Sequence, residues 1–258
     1  MINQMLPYKK LQGALNSSQG TALIPFITAG YPTCNSFLKN LEEISQIADA
    51  IEIGVPFTDP LADGVTVQKA SFQALKNGVS LSWIFDQLSN KKFEIKIPLL
   101  LMSYLNPLYA FGFDRLAKYA KNNNINGIIV PDLPFEECEP LKRSLDKEGI
   151  ALVQLVSPET PVDRLETICK KSRGFVYAVT RTGITGKETS LPKNLTNYLD
   201  TVKELSPIPV CAGFGVRKRE QVKLISKHAD GVIVGSALLK IIEGNKDIVK
   251  FLSSLKDF

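Results

Sequence analysis

Short apolar runs rich in β-branched residues recur along the chain, each followed by a turn and then by a longer stretch with apolar residues three and four apart. Eight of these runs read as strands: Thr21–Thr28, Ala50–Val55, Ile97–Tyr104, Gly127–Asp132, Ala151–Val156, Gly174–Thr180, Pro209–Gly213 and Gly231–Gly235. Between them, Ser36–Ala48, Phe135–Glu148, Leu195–Leu205 and Gln221–Lys227 have helical spacing, with Lys, Glu and Asp on the face away from the apolar stripe. Near-continuous apolar strands predict a parallel sheet covered by helices, and eight strand–helix units predict closure into an α/β (β/α)8 TIM barrel. The alternative is an open doubly wound sheet. It expects a Gly-rich loop after the first strand, where this chain reads TAGYPT, with one glycine and a proline. No linker or low-complexity stretch divides the sequence, so one domain over residues 1–258 is expected. Tyr8–Leu15 is expected as a short extra N-terminal helix under the barrel, and Phe251–Leu255 as the end of the last helix.

Composition narrows the picture without choosing a function. A chain of 258 residues with 44% hydrophobic content can bury one large core. Lys and Arg (31) exceed Asp and Glu (26) by +5, spread in pairs such as Lys9-Lys10, Lys91-Lys92 and Lys170-Lys171. That mild field suits an anionic metabolite better than a nucleic acid. The N-terminus has no leader pattern, and no apolar run approaches the ~18 residues that span a bilayer, so a cytoplasmic protein is expected, or one of the plastid stroma if organelle-encoded. Cys34, Cys138, Cys169 and Cys211 are scattered and His228 is the single histidine. Reduced thiols and no metal are expected.

Reactive groups in a barrel sit where strands run out into the loops that follow them. In AIEIGVP, Ile51 and Ile53 fall on one face and Ala50, Glu52 and Gly54 on the other, which directs the Glu52 carboxylate inward. A buried, unpaired carboxylate has a raised pKa, the condition for acid–base work near neutral pH. A structural ion pair is the alternative, but no Lys or Arg lies in the other predicted strands. Next comes PFTDPLADGVTVQ, which cannot be helical until after Gly64 and carries Asp59 and Asp63. By spacing alone, Asp63 serves equally as a reactive acid or as an N-cap for the helix beginning at Val65. Three turns at the ends of the last strands, RTGITG, AGFGV and GSA, have the Gly content of a phosphate cradle, with Ser236 at a helix start. RTGITGKETSLPKNL is long and polar enough to close over a substrate. Phe26, Tyr104 and Tyr177 lie at or near strand ends, where they serve either as core or as walls for a flat ring.

Taken in order, IEIGVPFTDPLADG, LMSYLNP, GIIVPDLPFEE, YAVTRTGITG, AGFGV and GVIVGSA closely resemble the tryptophan synthase α subunit family over nearly the whole chain. The resemblance implies a (β/α)8 barrel that cleaves indole-3-glycerol phosphate to indole and glyceraldehyde 3-phosphate with no cofactor of its own. It also implies an αββα complex with a pyridoxal-phosphate-dependent β subunit that receives the indole. On this resemblance Glu52 and Asp63 are the catalytic acids, and Phe26, Tyr104, Tyr177 and Thr185 contact the substrate. Gly186, Phe214, Gly215, Gly235 and Ser236 hold its phosphate, and Pro56, Asp59, Pro60 and Asn106 face the partner. The mechanism it implies has Glu52 shuttling the proton while Asp63 stays ionised in a polar loop. The chain departs from the family pattern at Thr58, where many relatives have Ser, and at Val65, where many have Pro, a change expected to loosen the loop around Asp63. Competing readings are a Schiff-base aldolase using Lys187, a phosphosugar isomerase, and a regulatory subunit without chemistry of its own.

Overall fold

The structure, a computed structural model, describes residues 5–18, 20–180, 194–213 and 215–256. Eight parallel strands form a closed barrel in sequence order. They are β1 (Ala22–Thr28), β2 (Ile51–Gly54), β3 (Leu99–Met102), β4 (Ile125–Ile129), β5 (Ala151–Val156), β6 (Val176–Val179), β7 (Val210–Gly213) and β8 (Gly231–Val234). In chain order the helices among the described residues are α1 (Pro7–Asn16), α2 (Phe37–Ser45), α3 (Val65–Lys76), α4 (Leu81–Asn90), α5 (Leu105–Phe111), α6 (Phe113–Asn122), α7 (Glu139–Glu148), α8 (Val162–Lys171), α9 (Leu195–Leu205), α10 (Arg219–Ile225), α11 (Ser236–Glu243) and α12 (Ile248–Lys256).

Alternation along each strand divides the core into two shells. Ile51, Ile53, Leu99 and Leu101 face out and pack with Leu41, Ile84 and Phe85 of the covering helices. Ala50, Leu100, Met102, Ile129, Val153, Phe175 and Ile233 face in and fill the barrel. The inner shell ends below on α1, whose Leu11 and Leu15 are buried in it. The backbone N–H of Tyr8 donates to the Gly149 carbonyl at 2.9 Å, and Asn126 Nδ2 donates to the Pro7 carbonyl at 3.0 Å. Small residues make room for the helix: a Cβ on Gly127 would lie 3.3 Å from Leu11 Cδ2, and one on Gly174 would lie 3.0 Å from it.

The differences from the expected elements have local causes. β4 begins at Ile125 rather than Gly127, because a register shift between Leu99 and Leu100 admits Asn126, whose Oδ1 accepts the Leu99 N–H at 3.2 Å. The segment Phe135–Glu148 is split into a 3-10 turn, Phe135–Glu137, and α7, with Pro140 in the first turn of the second piece.

The same device recurs at the barrel floor. Asp49 before β2 accepts the Leu23 N–H at 2.7 Å, and Asp230 before β8 accepts the Val210 N–H at 2.9 Å. Asp49-Ala50, Asn126-Gly127 and Asp230-Gly231 are thus one repeated element, tying an even strand to the odd strand before it. Lys256 pairs with Asp49 at 2.8 Å and Lys203 with Asp230 at 2.9 Å.

Candidate active site

Glu52 extends from β2 into the barrel, level with Phe26 on β1. It is 1% exposed, and neither carboxylate oxygen has a hydrogen-bond partner among the described residues. Burial, and then the nearby Asp63 carboxyl, push its pKa up to about 8. The ion-pair alternative therefore has no cation among the described residues.

Asp63 is not the cap of α3. That position belongs to Gly64, with φ −81° and ψ 167°, and no side chain caps the helix. The Asp63 carboxylate turns to the pocket instead, where Tyr104 Oη donates to its Oδ2 at 3.2 Å. The loop is held on three sides. Asp63 N–H donates to the Pro60 carbonyl at 3.0 Å, Gln68 Nε2 donates to the Asp63 carbonyl at 2.9 Å, and Ala62 N–H donates to Tyr104 Oη at 2.9 Å. Val65, 66% exposed at the helix start, leaves these bonds in place. The loop is polar in sequence, but the Asp63 side chain expected to stay ionised there is buried, 8% exposed. Burial raises its pKa to about 6 against the lowering effect of the Tyr104 hydrogen bond.

One pocket at the C-terminal mouth brings together Glu52, Asp63, Phe26 and Tyr177 with Gly215, Gly235 and Ser236. The Phe26 ring spans from β2 to β8: a Cβ on Gly54 would lie 2.5 Å from its Cζ, and one on Gly235 would lie 3.2 Å from its Cδ1. The Tyr177 phenol likewise occupies the space that a Cβ on Gly213 would need. Burial raises its pKa well above the usual tyrosine value, so the hydroxyl keeps its proton. Gly215 has φ +94°, a left-handed conformation, and Gly235 precedes the first turn of α11. Helix-start N–H groups beside a glycine turn suit a phosphate.

Tyr104 is buried but is not among the described residues walling the pocket; it meets the pocket by way of Asp63. The residues missed by sequence reading are Val67, Met102 and Ile233, which complete the apolar wall. Inward alternation marks Met102 two places after Leu100, and the Ala-Asp pairs before β2 and β8 place Ile233, like Glu52, three residues after the Asp. Thr185, Gly186, Phe214 and the aldolase candidate Lys187 lie outside the described residues.

Of the expected partner-facing residues, Asp59 and Asn106 are exposed, Pro60 is half-buried and Pro56 is buried. Leu61 (83% exposed) and Phe72 (61% exposed) share a groove with Asp59 and Pro60, an apolar extension that the sequence alone did not mark. Among the described residues, no group of His, Cys, Asp and Glu is placed to hold a metal, and no helix is long and apolar enough to cross a membrane.

The family model for the tryptophan synthase alpha chain matches residues 13–255. The tryptophan synthase alpha chain of Desulfovibrio desulfuricans is 40% identical over 246 residues, covering 94% of this chain and 96% of that protein. That of Bacillus mycoides is 39% identical, covering 92% and 93%. Among solved structures, a chain of the tryptophan synthase α2β2 complex of Pyrococcus furiosus, described in terms of mutual activation, superposes with a TM-score of 0.84 at 38% identity, covering 92% of this chain and 98% of that one. A chain of Mycobacterium tuberculosis tryptophan synthase gives a TM-score of 0.87 at 31% identity, covering 95% and 96%.

Proposed function

The chain belongs to the tryptophan synthase alpha chain family, and from that premise we propose that its two buried acids, Glu52 and Asp63, divide the work of the family's lyase reaction. The reaction is the retro-aldol cleavage of indole-3-glycerol phosphate to indole and glyceraldehyde 3-phosphate, a step of tryptophan biosynthesis. Cleavage requires a proton on the ring carbon that bears the glycerol chain, and loss of the proton from the adjacent hydroxyl. The bond between ring and chain then breaks, its electrons return to the ring, and indole leaves neutral while the hydroxyl carbon becomes the aldehyde.

Glu52, neutral below about 8, supplies the proton to the ring carbon and takes one from the hydroxyl. Asp63, ionised above about 6, accepts a hydrogen bond from the ring N–H and stabilises the positive ring that protonation creates. The observation that carries this reading is the contrast between the two carboxyls of one pocket, one without a partner among the described residues and one held by a phenol. Phe26 and Tyr177 flank the ring, Thr185 completes the substrate contacts, and Tyr104 acts on the substrate by way of Asp63. Gly215, Gly235 and Ser236 bind the phosphate, together with Gly186 and Phe214. Fixing that remote end holds the reacting bond against the acids.

The chain needs no cofactor in this reading, and its partner is the pyridoxal-phosphate-bearing β subunit in a cytoplasmic αββα heterotetramer. Asp59, Pro60 and Asn106 form the contact face, with Pro56 shaping the loop from beneath. The test is to supply indole-3-glycerol phosphate to the isolated chain and to the chain mixed with a β subunit. Indole is expected in both, faster in the mixture. No indole in either would overturn the reading, and reductive trapping of a lysine adduct would replace it with the aldolase alternative.

A further inference from the structure

We propose that Tyr104 is a positioning residue that fixes which of the two acids ionises first, by donating its hydroxyl hydrogen bond to Asp63 and none to Glu52. This inference rests on the division of labour proposed above and assigns its origin. Two carboxyls that wall one pocket repel each other when both are charged, and burial raises both. Something must separate them. Tyr104 Oη lies 3.2 Å from Asp63 Oδ2, and no described residue bonds either oxygen of Glu52.

The phenol is oriented for this. Ala62 N–H donates to Oη at 2.9 Å, so one lone pair of the hydroxyl is taken and its proton is free to point at the carboxylate. The ring stacks on Phe57, with centroids 5.2 Å apart and planes at 25°. The backbone beyond it is anchored where Leu105 N–H donates to Asp132 Oδ1 at 2.9 Å. A hydrogen bond to the charged form of an acid lowers its pKa, and a phenol itself raised by burial keeps the proton it must donate.

Among the described residues, the titratable groups that act on Glu52 and Asp63 are Tyr104 after β3, Tyr177 from β6 and Cys211 from β7, with Asp132 acting on Tyr104 from the loop after β4. None is a cation. The O–H bond is thus the discriminating contact between Asp63 and Glu52. Because Tyr104 does not wall the pocket, its removal leaves the substrate-facing surface in place.

The test uses the whole chain labelled at the Asp and Glu side-chain carboxyl carbons and titrated by NMR without substrate, the two signals being assigned by their loss in Asp63→Asn and Glu52→Gln. In the wild type, Asp63 is expected to deprotonate at lower pH than Glu52. In Tyr104→Phe, which keeps the ring, the ionisation constant of Asp63 is expected to fall about tenfold, narrowing or reversing the order. Indole formation by the variant then weakens more at pH 6 than at pH 8, through kcat rather than KM. An unmoved Asp63 titration in the variant, or Glu52 deprotonating first in the wild type, would sink the proposal. So would a rise in KM with no change in pH dependence, which marks Tyr104 as a plain substrate contact. If the variant does not fold, the wild-type order alone still decides. Absence of indole formation by the wild type would count against the proposed function and leave the titration readable.

Discussion

At the floor of the barrel, Asp49 and Asp230 each receive a strand N–H, at 2.7 and 2.9 Å, and a lysine, at 2.8 and 2.9 Å. At the mouth, among the described residues, Glu52 receives neither and Asp63 receives one phenol. The same chemical group thus does opposite things at opposite ends of the same strands. A carboxylate matched by donors and a cation ties backbone together, whereas an unmatched one gives up stability and gains a pKa near neutrality. What separates structure from chemistry here is the company each acid keeps rather than its burial alone.

The sharpest way to break this contrast is Glu52→Gln, expected to slow indole formation by about 10²–10⁴-fold in a steady-state assay. In the wild type the same assay should give a bell with limbs near about 6 from Asp63 and about 8 from Glu52. The substitution should also raise thermal stability at alkaline pH. Folding raises the pKa of Glu52, so the folded chain holds a proton that the unfolded chain has lost. Stability is greatest below the ordinary glutamate range and falls as pH rises to about 8. In Glu52→Gln that slope disappears, which a series of melting curves from pH 5 to 9 would read; a Tm that depends on pH as in the wild type contradicts the raised pKa.

A floor residue should do the reverse. Leu11→Ala, emptying a fully buried position, is expected to cost about 2–5 kcal/mol in urea unfolding with kcat per folded molecule unchanged. Next in size, Asp230→Ala strips the Val210 N–H of its acceptor and is expected to cost about 1–3 kcal/mol, again without loss of kcat. Asp230→Asn should cost clearly less, since Asn126 already performs this bond at the start of β4. Equal losses for the two variants would mean that charge, not the acceptor, matters at the floor. Smallest of all, Lys203→Ala removes one half-exposed ion pair and should change stability by about 0–1 kcal/mol, less still in high salt.

The readability of these features from sequence followed their range along the chain. The inward turn of Glu52 is a period-two pattern within AIEIGVP and survives intact in β2. The eight strands follow from the same local signal, and α9 has the bounds that its spacing predicts, Leu195–Leu205. Boundaries failed where a tertiary contact decided them, as at the shift that lengthens β4 around Asn126. Asp63 was undecidable for the same reason. Its spacing from Val65 suits a cap, and the contact that turns it away comes from Tyr104, 41 residues on. The wall residue Ile233 was missed because an apolar residue inside an apolar strand carries no mark, and the phosphate turn was visible because Gly and Ser there break the pattern.

The α1 helix beneath the barrel has a consequence for traffic. With Leu11 and Leu15 set into its lower end, the barrel is a blind alley rather than a corridor. Among the described residues the Glu52 pocket opens at the mouth and not at the floor, so whatever stands in that doorway holds the pocket's contents in or out. A proton that Glu52 takes from the hydroxyl is therefore held in the pocket until the doorway clears. Exchange of that hydrogen with solvent should keep time with departure from the pocket and not with acidity.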